Sequence, residues 1–329
     1  MQVLRVILLA AGVVALVALV LHVGAGPVGQ ALATMTWWQF ALICLVHGVG
    51  VLADTVGWRC TLTGDRPPFR RLLAVRCAGE AVNALTALGS VGGEATKAWL
   101  LRRDVPYQAS IPSLVLAKTA LVVAQALLLV VALVVGWTTG IAGPALLAAM
   151  ATLLLIEVVG VGGFILVQHA GIVGKAGRLL AWAGVSAVVR PERLDDAIRD
   201  FYRREWRWFA LSGAAHFAGW LVAVVEGFVI LRCLALPASL AAATVLEGVG
   251  SGVRFATFFV PASLGTLEGA NAVAFGAFGW GAGAGLAFTL VRRARQAVWI
   301  ALGAAILFAM GAPRALARER GRPLPSGAD

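Results

Sequence analysis

The sequence has few ionisable side chains for its length. Only 13% of its 329 residues are charged, whereas 60% are hydrophobic and the mean hydropathy is +0.89. Soluble domains carry about 25% charged residues, so this composition excludes a water-soluble globule. It predicts an all-α polytopic membrane protein, because helices satisfy their own backbone hydrogen bonds in lipid.

Residues that bind metals or form disulfides are also scarce. The four cysteines are scattered without a C-x-x-C pair, and the four histidines lie far apart without an H-E-x-x-H motif. A disulfide framework, a zinc site and metalloenzyme chemistry are therefore not indicated, and no cofactor is predicted. The cysteines are expected to be small apolar core residues.

Positive charge is in excess, with a formal net charge of +11. The Lys and Arg residues lie mostly in short segments between apolar stretches, which is typical of membrane topology rather than of a nucleic-acid-binding face. No nucleic-acid partner is predicted. The basic segment 58–76 and the basic tail 312–329 are expected to be cytoplasmic, which places both termini on the cytoplasmic side of the inner membrane.

About six apolar stretches are long enough to cross a membrane. They are Val6–Val23, Trp37–Gly57, Ile111–Val135, Pro144–Val167, Phe209–Leu231 and Gly283–Met310. The first is longer than the apolar region of a signal peptide, so a retained span is favoured and a signal peptide is the alternative.

Two further apolar segments are interrupted, and each predicts a broken re-entrant helical hairpin. Hairpin A covers residues 72–103 with a break at Gly89–Gly93, and hairpin B covers residues 237–281 with a break at Pro261–Gly265. Proline removes a backbone donor and glycine loosens the chain, so a continuous helix is not expected through either break. Broken helices in a membrane are tolerated where they line a cavity.

The two hairpins predict an inverted repeat, because they enter from opposite faces. Lys118 follows Glu94 at the same sequence separation as Arg292 follows Glu268. Discontinuous helices in inverted repeats are found in many secondary transporters. A chance coincidence of spacing is the alternative.

The whole chain is predicted to form one membrane domain, residues 1–311, followed by the basic tail 312–329. Residues 170–207 form a hydrophilic cytoplasmic segment, in which Pro191 and the acids after it indicate a helix start. The helix is amphipathic, with Leu194, Ile198 and Phe201 on one face. It is either a helix lying on the lipid surface or an ordinary linker helix.

Ionisable and amide side chains inside apolar segments are the candidate binding residues, because charge in a bilayer is costly and usually faces a partner or a wet cavity. The candidates are Glu80, Asn83, Glu94, Lys118, Glu268, Asn271, Arg292, Arg293 and Arg295. The arginines match phosphate geometry, while the carboxylates suit a cationic headgroup or a coupling proton. At least one arginine is expected to pair with Glu268 or Glu247, and Lys118 with Glu94 or Glu80. The two asparagines are expected to form hydrogen bonds with backbone groups left unpaired at the helix breaks. Gln125, Glu157 and Glu226 are interpreted as contacts between helices.

The string Gly79-Glu80-Ala-Val-Asn83 through Gly92-Gly93-Glu94-Ala-Thr-Lys97 resembles the first motif of the flippase-like family that includes the membrane domain of lysylphosphatidylglycerol synthase. Pro261-Ala-Ser-Leu-Gly265-Thr-Leu-Glu268-Gly269 with Val291-Arg292-Arg293-Ala-Arg295 is similar to its second motif. The resemblance covers residues 1–311 and is closest to members associated with hopanoid biosynthesis.

That resemblance implies translocation of a membrane lipid or a lipid-linked intermediate. The soluble synthase domain of the family is absent after Asp329, so its enzymatic activity is not expected here. Two alternatives stay open. One is a scaffold or accessory subunit for enzymes of lipid synthesis (hopanoid or glycolipid), and the other is an enzyme that modifies lipid headgroups, for which no nucleophile–base or metal-ligand spacing is present. No oligomeric state is predicted.

Overall fold

The computed structural model describes residues 35–64, 66–85, 90–170 and 191–311, which are mainly helical and contain no β-strand. The all-α prediction is confirmed over this part. The ten helices are α1 (Trp37–Cys60), α2 (Phe69–Leu85), α3 (Ser90–Leu101), α4 (Tyr107–Thr138), α5 (Pro144–His169), α6 (Pro191–Arg204), α7 (Trp206–Cys233), α8 (Leu240–Ala256), α9 (Thr266–Ala277) and α10 (Ala282–Ala309). The predicted first span and the basic tail lie outside the described residues.

Four helices are long and apolar enough to cross a membrane: α1, α4, α5 and α7, with 24, 32, 26 and 28 residues. At about 1.5 Å per residue each exceeds the roughly 30 Å hydrocarbon core of a bilayer. They correspond to four of the six predicted spans. Helix α10 also has 28 residues, but three arginines lie near its middle, so its composition does not mark it as a simple apolar span.

Helix α8 packs closely against α4 and α5 because glycines line its contact face. Gly248 lies against Leu129 of α4 and Met150 of α5, and Gly252 lies against Leu129 and Leu153. Glycines one turn apart share one face of a helix and let neighbouring backbones approach, as in the G-x-x-x-G contacts of membrane helices. Most of α8 between Ala242 and Gly252 is therefore buried in the bundle.

Helices α1 and α7 form a long antiparallel pair. His47 of α1 contacts Glu226 of α7, whereas Asp54, about two turns further along α1, contacts His216 of α7. The Ser212 hydroxyl donates to the carbonyl of Gly57 at 2.8 Å. These polar contacts, spread along the two helices, fix the register of the pair.

Hairpin A is present as the two packed helices α2 and α3, but its boundaries differ from those predicted. Helix α2 begins at Phe69, so Arg70, Arg71 and Arg76 are helical rather than part of a basic loop. Helix α3 begins at Ser90 and includes Gly92 and Gly93, so the predicted glycine break does not extend through these two residues.

Hairpin B is present as α8 and α9, separated by a short 3-10 turn at Pro261–Ser263. Both hairpins pack on α10. A methyl group on Gly303 would overlap the carbonyl of Cys77 in α2, and one on Gly285 would overlap the carbonyl of Asn271 in α9. These two glycines are about five turns apart, or about 27 Å along the helix. The hairpins therefore pack against opposite ends of α10.

Helix α6 begins at Pro191 as predicted, and its apolar face packs on the protein. Ile198 and Phe201 are buried with Leu116 of α4 in a small cluster. The Tyr202 hydroxyl donates to Gln168 of α5 at 2.7 Å, and burial raises its pKa to about 12, so it stays protonated. These contacts favour the linker-helix interpretation over a helix whose apolar face enters lipid.

Candidate functional site

The break in hairpin B is held by one ion pair. Ala262 and Ser263 have φ of 53° and 49°, in the left-handed region that costs L-residues about 1–2 kcal/mol. Arg293 of α10 donates to the carbonyl of Ala262 at 2.8 Å and to the Glu268 carboxylate at 2.9 Å. The other oxygen of Glu268 accepts the Gly265 N–H at 2.8 Å, which caps α9. The arginine therefore fixes the broken backbone to α10.

A second set of charges lies where α1, α7, α8 and α10 meet, and it is called the central cluster here. Its members are His47, Glu226, Glu247, Arg254, Arg292 and Arg295. Glu247 accepts from Arg254 at 2.7 Å and from Arg292 at 2.6 Å. Glu226 lies 3.2 Å from His47, 3.7 Å from Arg292 and 3.4 Å from Arg295, and Arg295 also contacts His47. Both carboxylates are 1% exposed.

The central cluster carries more positive than negative charge. Three arginines face two carboxylates, so one positive charge is unbalanced when His47 is neutral. Removing a charge from water costs several kcal/mol unless it is paired. The Arg254 side chain is 31% exposed, and that of Arg293 at the hairpin B break is 20% exposed. Arg254 is therefore the most exposed arginine of the central cluster.

Hairpin A holds its own charged group, called the hairpin A cluster: Asp54, Arg76, Glu80, Glu94, Lys97 and His216. Lys97 of α3 donates to Glu80 at 2.7 Å and to Glu94 at 2.9 Å, and its side chain is only 3% exposed. Glu80 is half exposed.

Arg76 joins this group to α1 and α7. It donates to Asp54 at 2.8 Å, and Asp54 also lies 2.7 Å from His216. Arg76 and Glu80 are one helical turn apart on one face of α2. Within this cluster three carboxylates face two cations when the histidine is neutral, and Lys118 of α4 lies near Glu80 as a third cation.

Eight of the nine predicted residues lie at hairpin A or at hairpin B and α10, whereas Lys118 lies on α4. Glu80, Asn83 and Glu94 lie in hairpin A. Glu268, Asn271, Arg292, Arg293 and Arg295 lie at hairpin B and α10. The Asn83 side-chain oxygen accepts the N–H of Gly93 at 2.7 Å, in the first turn of α3. Asn271 instead donates to the Thr289 hydroxyl at 2.8 Å and ties α9 to α10.

The predicted ion pair between Lys118 and Glu94 or Glu80 is replaced by a different one. Lys118 is exposed on α4 and lies near Glu80, but Lys97 makes the direct bonds to both glutamates. Lys97 is one turn from Glu94 on the same helix, so it reaches that carboxylate without a partner helix. All three candidate arginines are paired: Arg292 with Glu247, Arg293 with Glu268 and Arg295 with Glu226.

Several members of the two clusters were not among the binding residues predicted from the sequence. They are His47, Asp54, Arg76, Lys97, Glu226, Glu247, Arg254 and His216. A signal existed for some of them, because Glu226 and His47 are polar residues inside apolar helices. Their partners could not be identified, since His47 and Glu226 are 179 residues apart in the chain.

Two clefts in the described part of the chain are lined by residues outside both clusters. A cleft of about 630 Å³ lies at the end of α7 and the start of α8, with Arg232, Phe278 and Trp280 in its lining. It contains none of the nine predicted residues. Across the described ranges, no three His, Cys, Asp or Glu side chains are grouped to hold a metal ion.

Comparison with known proteins supports the family resemblance. Residues 3–304 match the family model of the lysylphosphatidylglycerol synthase TM region. Comparison with curated proteins and with solved structures finds no match. The family indicates a membrane protein related to lipid metabolism or transport. Since the match covers more than nine tenths of the chain, the protein belongs to the lysylphosphatidylglycerol synthase transmembrane-region family.

Proposed function

We propose that this protein is a transporter, not an enzyme, and that it moves a polar-headgroup lipid or lipid-linked intermediate across the inner membrane. The observation that carries the proposal is the positively charged central cluster beside the broken hairpin B. Buried charge at a helix break is expensive and, in membrane proteins, marks substrate and ion pathways by default. Family membership agrees with a lipid as the molecule handled.

The phosphate of a lipid headgroup fits the surplus positive charge. Guanidinium groups bind phosphate oxygens in a two-pronged geometry. Arg254 and Arg293 are the accessible arginines at this site, because Arg292 and Arg295 are each about 10% exposed. A headgroup that binds Arg254 competes with Glu247 for this arginine. Binding would therefore break an ion pair within α8 and leave Glu247 paired with Arg292 of α10.

The hairpin A cluster supplies an accessible carboxylate. The half-exposed Glu80 suits an amine or another cationic part of a headgroup. The Glu80–Lys97–Glu94 bridge holds α2 to α3 in the resting arrangement. A cation that takes one carboxylate from Lys97 would weaken that bridge.

We propose that the two hairpins form an inverted repeat, which would allow alternating access. Hairpin A contacts α10 near Gly303, and hairpin B contacts it near Gly285 and Arg293. The apolar cluster of hairpin A also includes Ile306 and Met310 of the same end of the chain. In secondary transporters such a pair of broken elements rocks around a site near the midplane. We propose the same movement here, with both termini cytoplasmic.

A second function, a membrane scaffold for lipid-synthesis enzymes, rests on α6. This helix uses its apolar face to pack on α4, while Arg203, Arg204 and Trp206 are exposed. Such a basic, aromatic-rich edge suits an acidic protein partner or the anionic lipid surface. The scaffold needs no contribution from the buried charges, which makes the two functions separable.

Proteoliposomes test the proposal. A phospholipid with a fluorescent headgroup is placed in both leaflets, and an impermeant quencher reports movement between them. The double variant Glu268→Gln with Arg293→Met removes a buried pair without leaving a lone charge, and Glu205→Gln is the matched control outside both clusters. We expect fast movement for the native protein and the control, and loss for the double variant while it stays monodisperse.

The alternatives give different results. Product formation from a lipid substrate in detergent, where there are no leaflets, would favour an enzyme. If deletion of residues 191–205 abolishes the cellular function while the buried-pair variant is active, the scaffold is correct. Native protein that moves no lipid faster than protein-free vesicles contradicts the transport proposal.

A further inference from the structure

Glu157 lies close to the middle of α5, one of the most lipid-exposed helices of this bundle. At 1.5 Å per residue it is about 18–20 Å from either end of the helix, which places it near the bilayer centre if α5 spans. The rest of the helix contains no Asp, Lys or Arg, and few of its residues are buried in the bundle.

The Glu157 carboxyl group is isolated within the part of the chain that the structure describes. The residue is 0% exposed, and neither side-chain oxygen has a hydrogen-bond partner. Its polar neighbour is Gln125 of α4, whose amide nitrogen donates to the backbone carbonyl of Ser251 in α8 at 3.0 Å. Gln125 therefore lies between the carboxyl group and the first arm of hairpin B.

The charged groups on the neighbouring helices do not pair with Glu157. On α8, Glu247 and Arg254 bind each other. On α4, the nearest cation in sequence is Lys118, which is about 10 Å of helix from Gln125. On α6, the charged residues Asp195, Asp196 and Arg199 belong to the helix that packs near Gln168, about three turns of α5 from Glu157. Among the described residues, no ion pair involves Glu157.

An isolated carboxylate in this position is strongly disfavoured. Transferring an unpaired ionised carboxylate to an apolar interior costs so much that the group takes up a proton instead. Glu226 and Glu247 avoid this cost because each has two or three cationic partners. Glu157 has none among the described residues, so its neutral form is the stable form in this arrangement.

We propose that Glu157 is a proton-binding site, and that hairpin B responds to its occupancy through Gln125 and Ser251. When the proton leaves, the carboxylate needs donors, and the Gln125 amide is the donor beside it. A carboxylate that draws the second N–H of this amide reorients the Gln125 side chain, which weakens its 3.0 Å hydrogen bond to the Ser251 carbonyl and so the contact between α4 and α8. Ser251 lies on α8 between Glu247 and Arg254, so this change acts on the arm that carries the central cluster.

The coupling part of this inference rests on the proposed transport function, whereas the proton site does not. If both hold, lipid movement is driven or gated by a pH difference across the membrane. Proton release occurs when α5 exposes Glu157 to water on one side, and uptake occurs when the buried arrangement returns. The reaction is a simple protonation equilibrium and needs no other reactant.

Infrared spectroscopy of the purified protein tests the site without any transport assay. At neutral pH, the spectrum of the native protein should contain a protonated-carboxyl stretching band that Glu157→Gln lacks. The Glu205→Gln control should retain the band. A native spectrum identical to that of Glu157→Gln in this region overturns the proton site, whatever the transport results show.

Transport in vesicles with an imposed pH difference tests the coupling. The native protein should move labelled lipid several-fold faster with the pH difference than without it. Glu157→Gln and Gln125→Leu should keep the basal rate and lose this acceleration, and Gln125→Leu should retain the infrared band. Acceleration that persists in Glu157→Gln overturns the coupling. Absence of movement under all conditions, with the band present, contradicts the transport function and the coupling but leaves the proton site supported.

Discussion

Glu247 is the carboxylate on which the central cluster depends most, and its replacement gives a quantitative prediction. It accepts from Arg254 at 2.7 Å and from Arg292 at 2.6 Å, and it is 1% exposed. The variant Glu247→Gln keeps the shape of the side chain and one acceptor, but removes the negative charge. The cluster would then contain three arginines and one carboxylate.

The expected loss of stability depends on the partners that Arg292 and Arg254 keep after Glu247 is replaced. Removing one partner of a buried ion pair costs about 3–5 kcal/mol, because the other charge is left uncompensated. Arg292 keeps Glu226 at 3.7 Å, and Arg254, which is 31% exposed, can turn to water. Both features favour the lower value of about 3 kcal/mol. Since each kcal/mol lowers the melting temperature of a mid-sized domain by roughly 2–4 °C, we expect a decrease of about 6–12 °C.

Thermal unfolding of the detergent-solubilised protein measures this loss. Adding Arg254→Met to Glu247→Gln returns the cluster to the single surplus positive charge of the native protein, so the double variant should recover part of the melting temperature. Glu205→Gln, outside both clusters, serves as the control and should melt like the native protein. A melting temperature for Glu247→Gln equal to that of the native protein would refute the argument that this carboxylate compensates two buried cations.

Three further substitutions test the packing of the hairpins. Gly93→Ala should destabilise the protein, because the added methyl group would overlap backbone and side-chain atoms of α2, whereas Gly162→Ala, with nothing within 4 Å, should be neutral or slightly stabilising in the same melting assay. Thr289→Val should lower stability by about 1–3 kcal/mol, since it leaves the buried amide of Asn271 without its acceptor, and urea titration in mild detergent measures this change. Ala262→Gly should leave the melting temperature unchanged or raise it, because glycine adopts φ of 53° without strain; a clear decrease would show that the methyl group packs usefully.

Features that depend on local sequence were predictable. Apolar length identified α1, α4, α5 and α7, and the Pro–Gly pair of residues 261–265 identified the break between α8 and α9. Pro191 followed by acidic residues identified the start of α6. Each of these signals acts within a few residues of the chain, through hydrogen bonding or backbone geometry.

The ion-pair partners were not predictable, because they are determined by helix packing. His47 and Arg295 are 248 residues apart, and no sequence pattern brings them together. The equal spacing after Glu94 and Glu268 suggested that Lys118 and Arg292 are equivalent, yet Arg292 is buried and Lys118 is exposed. The contacts of Lys97 show that a cation one helical turn away can compete with one on another helix.

For Glu157, the sequence suggested a partner that the structure does not provide. Its sequence context suggested a contact between helices, as for Glu226. The structure gives Glu226 three cationic neighbours when His47 is protonated, and gives Glu157 none among the described residues. Two similar glutamates in apolar helices therefore have different chemistry because of the residues that face them.

The central claim is that the break in hairpin B and the arginines of α10 receive a lipid headgroup. Photo-crosslinking with a phospholipid that carries its reactive group on the headgroup tests this claim most directly. We predict that mass spectrometry will find the label on peptides from residues 254–295, and that Glu268→Gln with Arg293→Met will lose it. Labelling confined to the lipid-facing surfaces of α1 and α5, in native protein and variant alike, would contradict the account.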